Sequence, residues 1–268
     1  MTTPPGSSSG ASALRIGLAA IVLAIVAAGA FGLWYIFLRP SGPAPVGDAS
    51  LVVPSKSAAT SSAGASTSTA TSSSASSSSA PLSGGIDGTW NVDTSIGSFS
   101  DFSDSFVGYR VQEQLASVGG NTAVGRTPAV SGSLTIAGTK VTATTIDADL
   151  TGLQSDDNRR DGQLSHQGLE TSTFPTATFT LTSPIDLGSV PADGAEISVT
   201  AAGKLTLHGQ TKDVQIPLKA KLSGNTIVVT GSLDIAFADY GITKPNSFAV
   251  LSIADTGTLE LQLFFTKA

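Results

Sequence analysis

Residues 196–222, EISVTAAGKLTLHGQTKDVQIPLKAKL, decide how this chain folds. Ile197, Val199, Leu205 and Leu207 alternate with Ser198, Thr200, Lys204 and Thr206. After His208-Gly209-Gln210, Val214, Ile216, Leu218, Ala220 and Leu222 alternate with Asp213, Gln215, Lys219 and Lys221. Successive side chains on a strand point to opposite faces, so each half predicts a strand with one apolar face, and the glycine-centred link predicts an antiparallel hairpin. Pro217 has no N–H to give a ladder, so its strand needs a bulge or an outward-facing position there.

The same period extends outward from this hairpin. Ile227, Val229, Leu233, Ile235 and Phe237 alternate with Val228, Thr230, Ser232 and Asp234, and Leu259, Leu261, Leu263 and Phe265 close the chain. Less regular strands are expected at 106–115, 131–138, 140–150 and 176–183, with short turns at Ala137-Gly138-Thr139 and Ser223-Gly224-Asn225. One helical stretch is expected, roughly Asp156 to Glu170, with only Leu164 and Leu169 as apolar anchors and two glycines weakening it. About eight antiparallel strands across 86–268 predict an all-β domain, either a sandwich or an up-and-down barrel. A barrel of eight strands is either plugged by side chains or just wide enough for one small ligand. The inward positions are Val, Ile, Leu, Ala and Phe, with Gly203 and Gly231 leaving room, so such a cavity suits an apolar ligand and rejects a charged one.

Toward the N-terminus the composition changes twice. Residues 1–14 form a short polar tail. Ile16 to Leu38 then runs 23 residues without a charge, between Arg15 and Arg39. A span needs about 20 apolar residues, so residues 15–39 are expected to be a transmembrane signal-anchor helix, with Trp34 and Tyr35 near one lipid–water boundary. The competing reading is a cleaved signal peptide at Ala28-Gly29-Ala30, against which Phe31 to Leu38 stays apolar past that point. Residues 40–85 read as a disordered linker, because 18 of the 29 residues from Ser55 to Ser83 are Ser or Thr and such a segment buries too little to offset its ordering entropy. The tract could serve as a bare spacer or carry O-linked sugar. The expected arrangement is a single-pass protein of a bacterial cell membrane, with its C-terminal domain outside the cytoplasm.

Composition also excludes. The net charge is −6, and residues 86–268 carry 11 basic and 19 acidic side chains, which leaves nothing to neutralise a row of phosphates, so no nucleic-acid partner is expected. There is no cysteine and only His166 and His208, so thiol chemistry, metal-sulfur sites and a His-rich metal site are excluded. Neither histidine has triad-like neighbours. The Asp147/Asp149 and Asp156/Asp157 pairs lack further ligands, and no G-x-S-x-G, H-E-x-x-H or phosphate-cradling loop is present. No cofactor, metal or catalytic residue is expected.

Four motifs, in order, resemble the YceI-like family of lipocalin-like polyisoprenoid-binding domains. Trp90-Asn91-Val92-Asp93 resembles its W-x-x-D, and Arg160-Asp161 with Leu164 and Pro175-Thr176-Ala177-Thr178-Phe179 resembles its R-D…P-x-A-x-F segment. Gly203 to Thr211 follows its G-x-L-T-x-x-G-x-[ST], and Asp239-Tyr240-Gly241 its D-[FY]-G. The resemblance covers essentially 86–268. It departs at Ile96-Gly97, where the family commonly has His-Ser, and at Gln163, where it commonly has His.

The resemblance implies an antiparallel lipocalin-like barrel holding an isoprenoid lipid, a polyprenyl or quinone-like chain, for carriage, storage or sensing. Candidate lining residues are then Phe106, Tyr109, Phe179, Leu205 and Ile216, with Leu218, Leu233, Ile235 and Phe237. Arg159 and Arg160 are candidate head-group contacts, since Arg suits bidentate phosphate recognition. Each of these also has a plain reading, as core or as a solvated ion pair. The alternative for the whole protein is a tethered structural or adhesion module with a filled core. Oligomeric state is not legible in the sequence.

Overall fold

The computed structural model describes residues 43–46, 53–54, 85–116, 119–246, 248 and 250–268. The expected anchor at 15–39 and most of the 40–85 linker lie outside them. Among the described residues no helix is long and apolar enough to cross a membrane.

The strands are β1 (Gly88–Val92), β2 (Phe106–Leu115), β3 (Gly119–Thr127), β4 (Val130–Ala137), β5 (Lys140–Asp149) and β6 (Gln154–Ser155). They continue as β7 (Thr176–Leu181), β8 (Ile185–Asp186), β9 (Glu196–Leu207), β10 (Gln210–Ser223), β11 (Thr226–Ala236), β12 (Val250–Ile253) and β13 (Thr256–Lys267). All pairings are antiparallel, in the order β1-β4-β5-β7-β9-β10-β11-β13-β2-β3-β6, and β1 also pairs with β13. The result is a closed antiparallel barrel of eight strand positions. Strands β1 and β2 share one of these positions, because the C-terminal end of β13 pairs with β1 (Val92↔Phe265) and its N-terminal half with β2 (Gly108↔Glu260).

The β9–β10 hairpin pairs without a register slip from Gln210↔Leu207 to Lys221↔Glu196. Its two-residue turn puts His208 at φ 50° and Gly209 at φ 70°, the left-handed pair that matches strand twist. Pro217 is accommodated without a bulge in that pairing. The β10–β11 ladder begins only at Leu218↔Gly231, so β10 residues 210–217 and β11 residues 232–236 run without a shared ladder. A missing donor at Pro217 marks the fork.

The one α-helix, α1 (Asn158–Leu164), is shorter than the expected 156–170. Asp157 caps it by accepting from the Arg159 amide at 2.9 Å, but with so few apolar anchors nothing holds it past Ser165. Strands β1 and β3 were not legible. The first is only five residues long, and the second is rich in glycine and polar residues.

Inside the barrel the apolar faces form two clusters. Trp90, Leu134, Val229, Leu263 and Phe265 fill the end closed by β1 and β4. Leu205, Leu207, Ile235 and Tyr240 lie at the other end.

The barrel interior and its two ends

The alternation of each strand assigns the nominated residues to a face. Cross-strand pairs Phe179↔Leu205, Leu218↔Gly231, Leu233↔Leu259 and Tyr109↔Leu259 all stand on the inner surface, with Ile216 and Ile235 in phase with them. Phe237 follows the end of β11 in a 3-10 turn, its ring against Gly257 and near Val111. Phe106 is different. It lies opposite Gln262 on the outer face of β2, with its ring 4.2 Å from the Arg126 guanidinium. Strand parity excludes Phe106 from the lining.

The room expected at two glycines is taken. A Cβ on Gly203 would meet the Phe179 ring at 2.4 Å, and one on Gly231 would meet Leu218 at 2.5 Å. Gly125 is covered in the same way by the Tyr109 ring. These glycines seat large neighbours across the wall. Further in, Leu205, Ile216 and Ile235 are buried, whereas Tyr109, Phe179, Leu218, Leu233, Leu259 and Leu261 are only half-buried although they face inward.

The two ends differ. At the β1 end, Trp90 is fully buried and its indole N–H donates to the Ile86 carbonyl at 2.9 Å. At the opposite end, His208 Nδ1 lies 2.9 Å from the Tyr240 carbonyl oxygen, and its ring is 4.3 Å from that of Phe174. The strand-turn motif, the Pro175 segment and Asp239-Tyr240-Gly241 therefore meet at one end of the barrel. The β10–β11 fork opens toward this end.

Arg160 is also here, donating to Glu113 at 2.8 Å and to Asp156. Burial opposes its charge, but Glu113 and Asp156 outweigh burial and hold its protonation up. It is thus committed to two carboxylates. Arg159 has a side chain 92% exposed, 3.4 Å from Asp157; the structure separates the two arginines rather than converging them. The Tyr109 hydroxyl is buried with no hydrogen-bond partner, and burial drives its ionisation well above the ordinary phenol range. A buried phenol without a partner stays neutral and available as a donor.

Sequence reasoning did not find the outer face of the same wall. Glu260 on β13 accepts from Arg110 Nε at 2.5 Å and from Arg126 at 3.2 Å. Arg126 is sandwiched against Phe102 and Phe106. Beside it, Asp104 is buried with Oδ1 unpartnered, and desolvation raises its pKa from 3.8 to about 6. Ile96, one of the departures from the family pattern, packs here with Val228, Phe264 and Val53. Only the isolated charges at Arg110, Arg126 and Glu260 within strand-like runs signalled these positions. Among the described residues no cluster of His, Asp or Glu has the makings of a metal site.

The YceI-like domain family matches residues 90–265. Among solved structures, the chain is similar to a polyisoprenoid binding domain from Saccharophagus degradans implicated in plant cell wall breakdown, at 22% identity and TM-score 0.52, covering 68% of this chain and 99% of that one. It is also similar to Burkholderia cenocepacia BcnA, at 22% identity and TM-score 0.46, covering 60% and 95%. The Campylobacter jejuni YceI protein is 14% identical at TM-score 0.45, covering 54% and 84%. No curated protein matches the chain.

Proposed function

The chain belongs to the YceI-like domain family, and from that premise we propose that its barrel binds an isoprenoid lipid, polyprenyl or quinone-like, for carriage, storage or sensing at a bacterial cell membrane to which residues 16–38 tether it. The observation that carries this reading is the half-buried state of inward-facing Tyr109, Phe179, Leu218, Leu233, Leu259 and Leu261 within a closed barrel. Large apolar side chains facing inward in a filled core would be buried throughout. Each CH₂ of a lipid tail gains about 0.8 kcal/mol on leaving water, so a long isoprenoid needs few polar contacts.

The ends assign a direction. The Trp90 plug closes one end, while the β10–β11 fork and the unpartnered Tyr109 hydroxyl favour the other as the place for the lipid's polar group. Tyr109 is a better head-group donor than Arg159 or Arg160, because the arginines are already engaged or turned to solvent. The reading is one of binding without chemistry. The filled glycine positions favour the alternative of a structural module, and one experiment separates the two. The full chain, purified from its native host, is extracted with organic solvent and the extract weighed by mass spectrometry beside that of a Leu233→Trp variant. A near-stoichiometric isoprenoid lost in the variant supports lipid binding. Equal, substoichiometric lipid in both supports the filled module.

A further inference from the structure

Pro43-Ala44-Pro45-Val46 lies within the stretch expected to be a free linker, yet it is bound to the barrel through its main chain. The Val46 amide donates to Glu260 Oε1 at 3.1 Å. Arg126 donates to the Ala44 carbonyl at 2.9 Å, and Arg110 to the Pro43 carbonyl. Seven residues on, Val53 packs against Ile96, Val228 and Phe264 on the outer face.

The chemistry explains why a peptide seats there. Two guanidiniums share one carboxylate, with Glu260 and Arg126 both buried. The cluster therefore carries surplus N–H donors in a place where water is scarce, and an unpaired buried donor is costly. Extended main chain supplies the missing carbonyls and one N–H for the carboxylate. Prolines at 43 and 45 restrict φ toward an extended form, so less entropy is lost on seating.

We infer that Arg110, Arg126 and Glu260 form a peptide clamp on the outer wall of the barrel and that the chain's own Pro43–Val46 is its occupant. If residues 16–38 span a membrane, as the proposed function holds, only four residues lie between Leu38 and Pro43. That is at most about 18 Å of extended chain.

The absence of cysteine makes the test direct. Spin labels are placed in the full chain at Ala44→Cys and at Gln114→Cys, which is exposed and four residues along β2 from Arg110. Electron–electron distance measurement should give one narrow population between about 15 and 30 Å, unchanged on dilution with unlabelled chain. Adding Val46→Pro, which removes the donated amide without touching the barrel, should broaden it, as should Arg110→Gln. A broad distribution in the otherwise native chain, like that of a coil of about 35 Å, overturns the clamp. So does a narrow distance that both variants leave unmoved, or one that collapses on dilution, which would place another chain's segment in the seat. The readout requires no lipid, so its failure is distinct from failure of the lipid-binding reading.

Discussion

The two faces of the wall built by β2, β3 and β13 invert the usual order of a soluble barrel. On the outer face Phe106 and Phe264 are each 1% exposed, and Arg126 and Glu260 each 3%. On the inner face Tyr109, Leu259 and Leu261 are only half-buried. The outside is sealed by residues 98–105, by Pro43–Val46 and by Val53, whereas on the inside Ala123, Leu263 and Phe265 are buried but Tyr109, Leu259 and Leu261 stay partly exposed. The difference teaches where stability and function reside. Tight packing on the outer face holds the wall, and on the proposed reading the wall in turn keeps its inner face available to a lipid.

If so, the largest effects on stability come from outside. Glu260→Ala leaves Arg110 and Arg126 with no carboxylate between them and should cost about 3–5 kcal/mol, the range for breaking a buried ion pair, read by urea unfolding. Phe264→Ala should cost about 3–5 kcal/mol by the same method, while Leu261→Ala, three residues earlier on β13 but facing in, should cost about 2 kcal/mol or less because it is only partly buried. Equal losses at 261 and 264 would erase the comparison.

The buried Asp104 sharpens it through pH. Its folded-state pKa of about 6 lies above the ordinary 3.8, so the folded state binds the proton more tightly than the unfolded one. Stability from this group therefore falls as pH rises from about 4 to about 6 and is level above. Asp104→Asn should flatten that part of a Tm-against-pH curve and raise Tm at pH 7. An unchanged curve would show that Asp104 is solvated. The smallest effect is expected at Tyr109→Phe. Removing an unpartnered hydroxyl should leave the lipid-free protein within about 1 kcal/mol of native, while lowering the amount of isoprenoid retained through purification by several-fold.

The β9–β10 hairpin was legible because its alternation is long and unbroken, and strand β2 was found with both bounds because Phe106 to Leu115 is bracketed by polar loops. Strand parity at Tyr109, Leu218 and Leu233 followed from the same period. Phe106 was assigned to the lining by its size alone, and parity places it outside. Gly203 and Gly231 were read as vacancies, although a missing Cβ on a strand is equally a seat for a cross-strand ring. The clamp was out of reach for a different reason. Its contacts join Pro43–Val46 to Glu260 across more than two hundred residues, through main-chain groups that every residue carries, so no side-chain pattern announces them.

The most direct test of an open inner face uses a photoactivatable isoprenoid probe, an aliphatic diazirine on a polyprenyl chain, added to the full protein in vesicles and mapped by peptide mass spectrometry. The account predicts adducts on inward residues such as Tyr109, Leu218, Leu233, Leu259 and Leu261, suppressed in Leu233→Trp. Adducts confined to residues 16–38 and to exposed Phe248 and Leu251 would contradict it.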